Sequence, residues 1–242
     1  MTLSPFTLVY DNGPEPPQSA KMVGIWDLGA WVGRLPGIIE ALNKAQSDIV
    51  MFEIHAAIPS GLTSKKERVE KWAAETLRRK LGKAEREEIT DAVIDAEFAA
   101  VGEPIRKHFR VQYLIGITPD AIAGEMEAEE DGVYSDLFFS GDGRVTLVST
   151  TGLRQLARKA ERPFEFAVAF VLLGALLSIF NPKADMHDET RGCLFDLNFD
   201  RKTIVKGLRK PWIDDECMKA IKPSNRATTR ALLDALSSYK GA

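Results

Sequence analysis

Seven consecutive residues, His187-Asp188-Glu189-Thr190-Arg191-Gly192-Cys193, place an imidazole, two carboxylates, a guanidinium and a thiol in one short stretch. A thiol becomes a nucleophile when its pKa is lowered, and a neighbouring His or Arg does that. Such a pair is defined by geometry in space, however, and a polar turn between two elements accounts for the same composition. The other cysteine, Cys217, closes the segment Trp212-Ile213-Asp214-Asp215-Glu216-Cys217. Zinc takes about four N, S or O donors in a tetrahedron, so His187, Cys193, Asp214 and Cys217 form a donor set of the right kind. Two thiols packed together without a metal explain the cysteines as well, since free Cys is readily buried. A third cluster, Arg78-Arg79-Lys80 with Lys83 and Arg86, is diluted by Glu75, Glu85, Glu87 and Glu88 and reads as a solvated helix face.

The chain that must position these groups has 242 residues, 45% of them hydrophobic and 28% charged, which supports a sizeable core and excludes a disordered polyelectrolyte. Its formal charge of −3 gives no excess positive potential for a phosphate backbone, so nucleic acid is not an expected partner. Two cysteines are too few for a disulfide scaffold and suit a reducing compartment. The opening MTLSPFTLVYDNG lacks the basic start and apolar run of a secretory signal, so a cytoplasmic location is expected.

The longest uncharged stretch, Phe166 to Phe180, has fifteen residues, short of the roughly 20 that cross a bilayer as helix. Apolar on every side, it is expected to be the central helix of the fold and not a membrane span. Around it the pattern predicts a strand at Phe6 to Tyr10, a helix within Ala30 to Ala45 and an inner strand from Asp48 to Ile58. A helix is predicted over Thr63 to Lys83 with Val69, Trp72, Ala73, Leu77 and Leu81 as its stripe, and a second over Glu85 to Ala100. A strand follows at Val111 to Ile117, then a short helix from Ala121 and an acidic loop at Glu125 to Asp131. Asp136 to Ser140 and Arg144 to Ser149 read as a hairpin, because Gly141-Asp142-Gly143 tolerates positive φ. Helices at Thr150 to Lys159, Arg162 to Phe180, Lys202 to Leu208 and Arg226 to Tyr239 complete an α/β (α+β) expectation, residues 1–242 forming a single mixed-sheet domain with a central buried apolar helix.

From Val111 to Cys217 the chain resembles the archaemetzincins, zinc metallopeptidases that join a mixed α/β fold to a HExxHxxGxxH helix and a cysteine-rich second zinc site. VQYLIGITPDAI is similar to their strand of the form xLGITxxDLY, and DLFFSGDGRVTLVSTTGL to their hairpin and the VSxxRL segment after it. RPFEFAVAFVLLGALLSIF stands where their zinc helix stands, and GCLFD with WIDDEC where their distal cysteines stand. The resemblance covers a little under half of the chain by residue pattern. It implies a metzincin-like fold.

The same resemblance locates what is missing. With Gly174 in the glycine slot, the histidines of HExxH fall on Ala167 and Val171, the general-base glutamate on Val168 and the third histidine on Leu177. Aliphatic side chains neither hold zinc nor take a proton from a zinc-bound water, and Glu165 alone has no metal to generate its nucleophile. At the distal site Cys193 and Cys217 keep two cysteine slots, with Asp188 and Asp214 near the others and the spacing to Asp214 one residue out. The resemblance therefore implies a non-catalytic, pseudopeptidase module with a binding, regulatory or assembly role, an unidentified protein or peptide partner or a second copy of itself, and no catalytic cofactor. Of the two distal readings, metal-free packing is preferred to a structural zinc on His187, Cys193, Asp214 and Cys217, because Asp is a poorer structural ligand than Cys. The alternative is a hydrolase of another class that uses the polar His187 to Asp196 turn.

Overall fold

The computed structural model describes residues 19–126, 132–134, 136–141, 143–184, 186–198 and 200–239. The expected strand at Phe6 to Tyr10, the end of the acidic Glu125 to Asp131 loop and the Asp142 tip of the hairpin lie outside these residues.

A five-stranded sheet forms the centre, in the order β2 (Ile49–Glu53), β1 (Lys21–Asp27), β5 (Tyr113–Thr118), β9 (Val145–Ser149) and β8 (Phe139–Gly141). The first four are parallel, and the outer strand β8 runs antiparallel to β9. Side chains alternate across a strand, and β1 follows that period. Val23 and Ile25 face a large core that contains the whole apolar helix, whereas Trp26 faces a second core with Phe98, Leu114 and Leu147. A smaller sheet of β3 (Thr63–Ser64), β4 (Ala92–Ile94), β6 (Ala121–Met126) and β7 (Gly132–Tyr134) lies beside it. The architecture is mixed α/β with mixed sheets.

Helix α4 (Asp95–His108) reaches the second face by close approach: a Cβ on Gly116 would come within 2.4 Å of the Phe98 ring, and one on Gly102 within 2.5 Å of Val145. The opposite face carries α1 (Leu35–Ala45), α5 (Leu153–Lys159) and α6 (Phe164–Phe180), with α9 (Arg226–Ser238) against α1 and α6. Of the seventeen residues of α6, thirteen are buried, as an all-apolar helix requires. It stops at Asn181, whose backbone and side-chain N–H groups both donate to the Leu177 carbonyl, and Pro182 follows. Among the described residues no single helix is long and apolar enough to cross a membrane.

Several expected elements differ. The strand from Asp48 ends at Glu53 and is an edge strand, not an inner one, because beyond Ile54 the chain leaves its parallel partner β1. The helix expected over Thr63 to Lys83 is α2 (Lys66–Thr76), shortened in front by β3 and ended before Arg78, which takes φ 52°. The helix expected over Glu85 to Ala100 is α3 (Lys83–Glu88), then β4, then α4. Ala92, Val93 and Ile94 are fully buried against β6, so tertiary pairing overrides local helix propensity there. That same pairing turns Ala121 onward into strand β6 where a short helix is expected. The interior strand β1 is not among the expected elements.

Candidate metal centre

The chain after α6 returns as an open turn and brings two distant segments together. Backbone pairing fixes both. His187 N–H donates to Phe195 and Leu197 N–H to His187, which sets a parallel bridge between His187 and Asp196. Gly192, at φ +87°, turns the chain into Cys193, and Leu194 N–H donates to the Trp212 carbonyl, tying this turn to the second segment. Asp214 then caps α8 (Asp215–Ala220), its Oδ1 accepting the Cys217 N–H at 2.7 Å.

As a result one ligand atom from each of His187, Cys193, Asp214 and Cys217 lies within 4.8 Å of the other three. A tetrahedron with bonds of 2.0–2.3 Å has ligand-to-ligand edges of about 3.3–3.8 Å, so contraction of roughly an ångström or less closes the set. Cys193, Asp214 and Cys217 are buried, and only the imidazole has partial exposure. The four residues grouped by donor type are therefore the four that meet, and Asp188, the other carboxylate near a cysteine slot, is exposed and not among them.

The hydrogen bonds decide what this group can hold. His187 Nδ1 sits 2.9 Å from the Glu189 carbonyl and 3.3 Å from Asp196 Oδ1, two acceptors, so in the neutral imidazole the proton belongs on Nδ1. Nε2 then presents a lone pair, and it lies 3.1 Å from Asp214 Oδ2, buried and without a hydrogen-bond partner. At that distance the two atoms share either a proton, as imidazolium and carboxylate, or a metal ion. The Cys193 sulfur also accepts two backbone N–H groups, from Phe195 at 3.5 Å and Asp214 at 3.4 Å, an arrangement that favours a thiolate. The donor set thus fits a divalent ion of borderline softness, zinc in particular.

Without an ion, burial pushes both the Cys193 and Cys217 thiols up from the usual range. Burial also opposes the Asp214 carboxylate, but the Cys217 N–H, the Cys217 thiol and His187 together hold it below its ordinary value. A buried thiol with a raised pKa is a poor nucleophile. Arg191, which the sequence offers as the guanidinium beside Cys193 and not among the candidate ligands, reaches Asp214 at 3.4 Å and also binds Glu189 and Glu216. It supplies positive charge at the rim. Its position beside the cysteine was the only available signal.

The helix that the resemblance makes the peptidase helix holds no such set. Ala167 and Val168 are fully buried, and Val171 and Leu177 are 3% and 2% exposed. Ala167, Val168 and Leu177 lie in packed core; Val171 borders a cavity of about 150 Å³ between α6, β8 and the turn. Phe138, Phe139, Phe170, Leu194 and Ile204 are among the apolar groups of its wall. Of its polar neighbours, Ser140 is bonded to Asp95 and Asn198 to Thr203, while Asp196 keeps Oδ1 without a hydrogen-bond partner. The basic run at Arg78 to Arg86 is surface, with Arg79 bound to Glu85.

No family model matches the chain, and no curated protein does. Solved structures to which it is similar include the archaemetzincin of Methanopyrus kandleri, with 14% identity, a TM-score of 0.46 and coverage of 92% of this chain and 99% of that one. Another is a zinc-dependent peptidase from Methanocorpusculum labreanum, with 15% identity, a TM-score of 0.44 and coverage of 83% and 100%.

Proposed function

We propose that this chain is a non-catalytic binding module, a pseudopeptidase stapled by a structural zinc ion. The observation that carries the reading is the contrast between two places. Four metal-capable side chains converge within 4.8 Å at the turn, whereas α6 offers only aliphatic groups at positions 167, 168, 171 and 177. A centre with four protein ligands leaves no open position for a reacting water, which is the mark of a structural and not a catalytic zinc site. The ion would be held by His187, Cys193, Asp214 and Cys217 and would supply cross-linking between the turn and α8.

The binding site of this module is the cavity beside α6. Its volume suits one apolar side chain, comparable to a cavity that accepts benzene. Phe139 and Ser140 of the outer strand β8 border it, so an extended peptide of a partner can pair with that strand while placing a Leu- or Phe-sized group inside. A panel of fluorescently labelled extended peptides, each with a single Leu or Phe among small polar residues, tests this by polarisation. Saturable binding that is lost in a folded Val171→Phe variant is expected, because the larger side chain fills the cavity. Peptide turnover that chelator abolishes and that Glu165→Ala also abolishes would overturn the non-catalytic reading.

A further inference from the structure

We infer that Asp196 is the positioning residue of the metal centre, a buried carboxylate that aims His187 at the ion and fixes the backbone in front of Cys193. The inference rests on the structural-metal reading above and assigns a role to a group outside the four ligands. Asp196 is 3% exposed, and its two carboxylate oxygens face two places in the same turn, one beside each of its ligands. Oδ2 accepts the Gly192 N–H at 2.5 Å, immediately before Cys193, while Oδ1, buried and without a hydrogen-bond partner, stands 3.3 Å from His187 Nδ1 as an ionic contact and not a hydrogen bond. Its own N–H donates to the Cys193 carbonyl at 3.1 Å, and its carbonyl accepts from Asn198. One residue therefore braces the imidazole and the first thiol together.

The placement matters because a ring nitrogen binds a metal only through its lone pair. With the Glu189 carbonyl and the Asp196 carboxylate both facing Nδ1, the proton is kept on that side and Nε2 stays free toward Asp214 and the thiols. A carboxylate behind a ligating histidine also makes the ring a stronger donor, and loss of such a partner lowers metal affinity by about 10–100-fold. Position 196 is separated from the nearer cysteine by only two residues, yet the sign of its effect differs from that of a ligand: the metal should still bind without it, but more weakly and with the ring less well held.

The test uses the full-length, metal-free protein titrated with Co²⁺, read by the thiolate-to-cobalt charge-transfer band. Asp196→Asn keeps the shape and an acceptor for Gly192 but removes the charge and turns an amide toward the ring. The expected result is retention of the band with an affinity about 10–100-fold weaker, while the circular dichroism of the metal-free variant matches the parent. Equal affinity in parent and variant, within twofold, would overturn the role of Asp196 and leave the centre standing. Absence of the band in the parent protein would overturn the centre itself, and the inference with it. Should Asp196→Asn not fold, nitrogen-15 NMR of the zinc-loaded parent decides instead: a His187 proton on Nδ1 is expected, and a proton on Nε2 refutes the inference.

Discussion

At the residue scale, the clearest consequences concern side chains whose chemistry is set by burial. Val168 is fully buried in the hydrophobic cluster around α6. A Lys there loses its hydration without gaining a partner, a cost of about 3–5 kcal/mol. Val168→Lys is therefore expected to unfold at markedly lower denaturant than the parent, by chemical denaturation, or to aggregate; a soluble variant of parental stability would show that this face is wetted. Glu103 gives a pH-dependent counterpart. Its carboxylate is held down to about 2, chiefly by hydrogen bonds from Arg106, against an opposing effect of desolvation and with further help from Lys107. Arg106 reaches Glu103 at 2.6 Å and the Val111 carbonyl at 2.8 Å, so the pair joins α4 to the start of β5. Because the folded-state pKa lies below the unfolded value, the stabilisation is complete above the ordinary glutamate range and disappears as pH falls through about 2. Melting temperatures of the parent and Glu103→Gln should differ at neutral pH and converge between about pH 4.5 and 2.

At the element scale, the long apolar helix was legible because nothing else explains a run with no polar face, and the hairpin was legible from Gly143 and its flanking alternation. The four candidate ligands were legible because cysteines are so few that both must be placed. Elements fixed by partners far away in sequence were not. Residues 92–94 become strand through β3 and β6, and β6 through β4 and β7, so no local window contains the cause. The cavity was invisible for the same reason: its walls come from the β8 strand, α6, the Met186 to Asn198 turn and Ile204. Gly174 supplies an element-scale test of that cavity. A Cβ there would meet Phe139 at 3.4 Å and the Leu194 carbonyl at 3.6 Å, ordinary contact distances. Gly in a helix interior costs about 1 kcal/mol relative to Ala, so Gly174→Ala should leave thermal stability equal or higher while trimming the cavity and weakening peptide binding. A large fall in melting temperature would show that the wall cannot accommodate even a methyl group.

On the scale of the whole molecule, the centre lies at the junction between the sheet-and-helix core and the C-terminal segments. Cys193 and Cys217 belong to the same core cluster as α6 and the buried faces of β1, β5 and β9, so a cross-link at the turn bears on the packing of the whole C-terminal part. The segments it joins have little regular structure of their own: between α6 and α9 the helices are α7 (Ile204–Arg209) and α8, six residues each, and helices that short depend on tertiary contacts. An ion bound only by the folded state stabilises by RT ln(1 + [L]/Kd), about 4 kcal/mol at a thousandfold excess over Kd. For a chain of this size that corresponds to roughly 8–16 °C in melting temperature. Zinc removal by chelator is therefore expected to lower the melting temperature by about that amount, with the loss reversed by zinc and absent in Cys217→Ser. The effect should also be local first. Amide exchange after chelation should rise across residues 187–217 while β1, β5 and β9 stay protected, because the parallel strands keep their own pairing and core contacts. A chelator-insensitive melting curve in protein purified without chelator and carrying stoichiometric zinc would show that the ion sits elsewhere, and equal deprotection of the sheet would show that the turn and the core unfold as one unit.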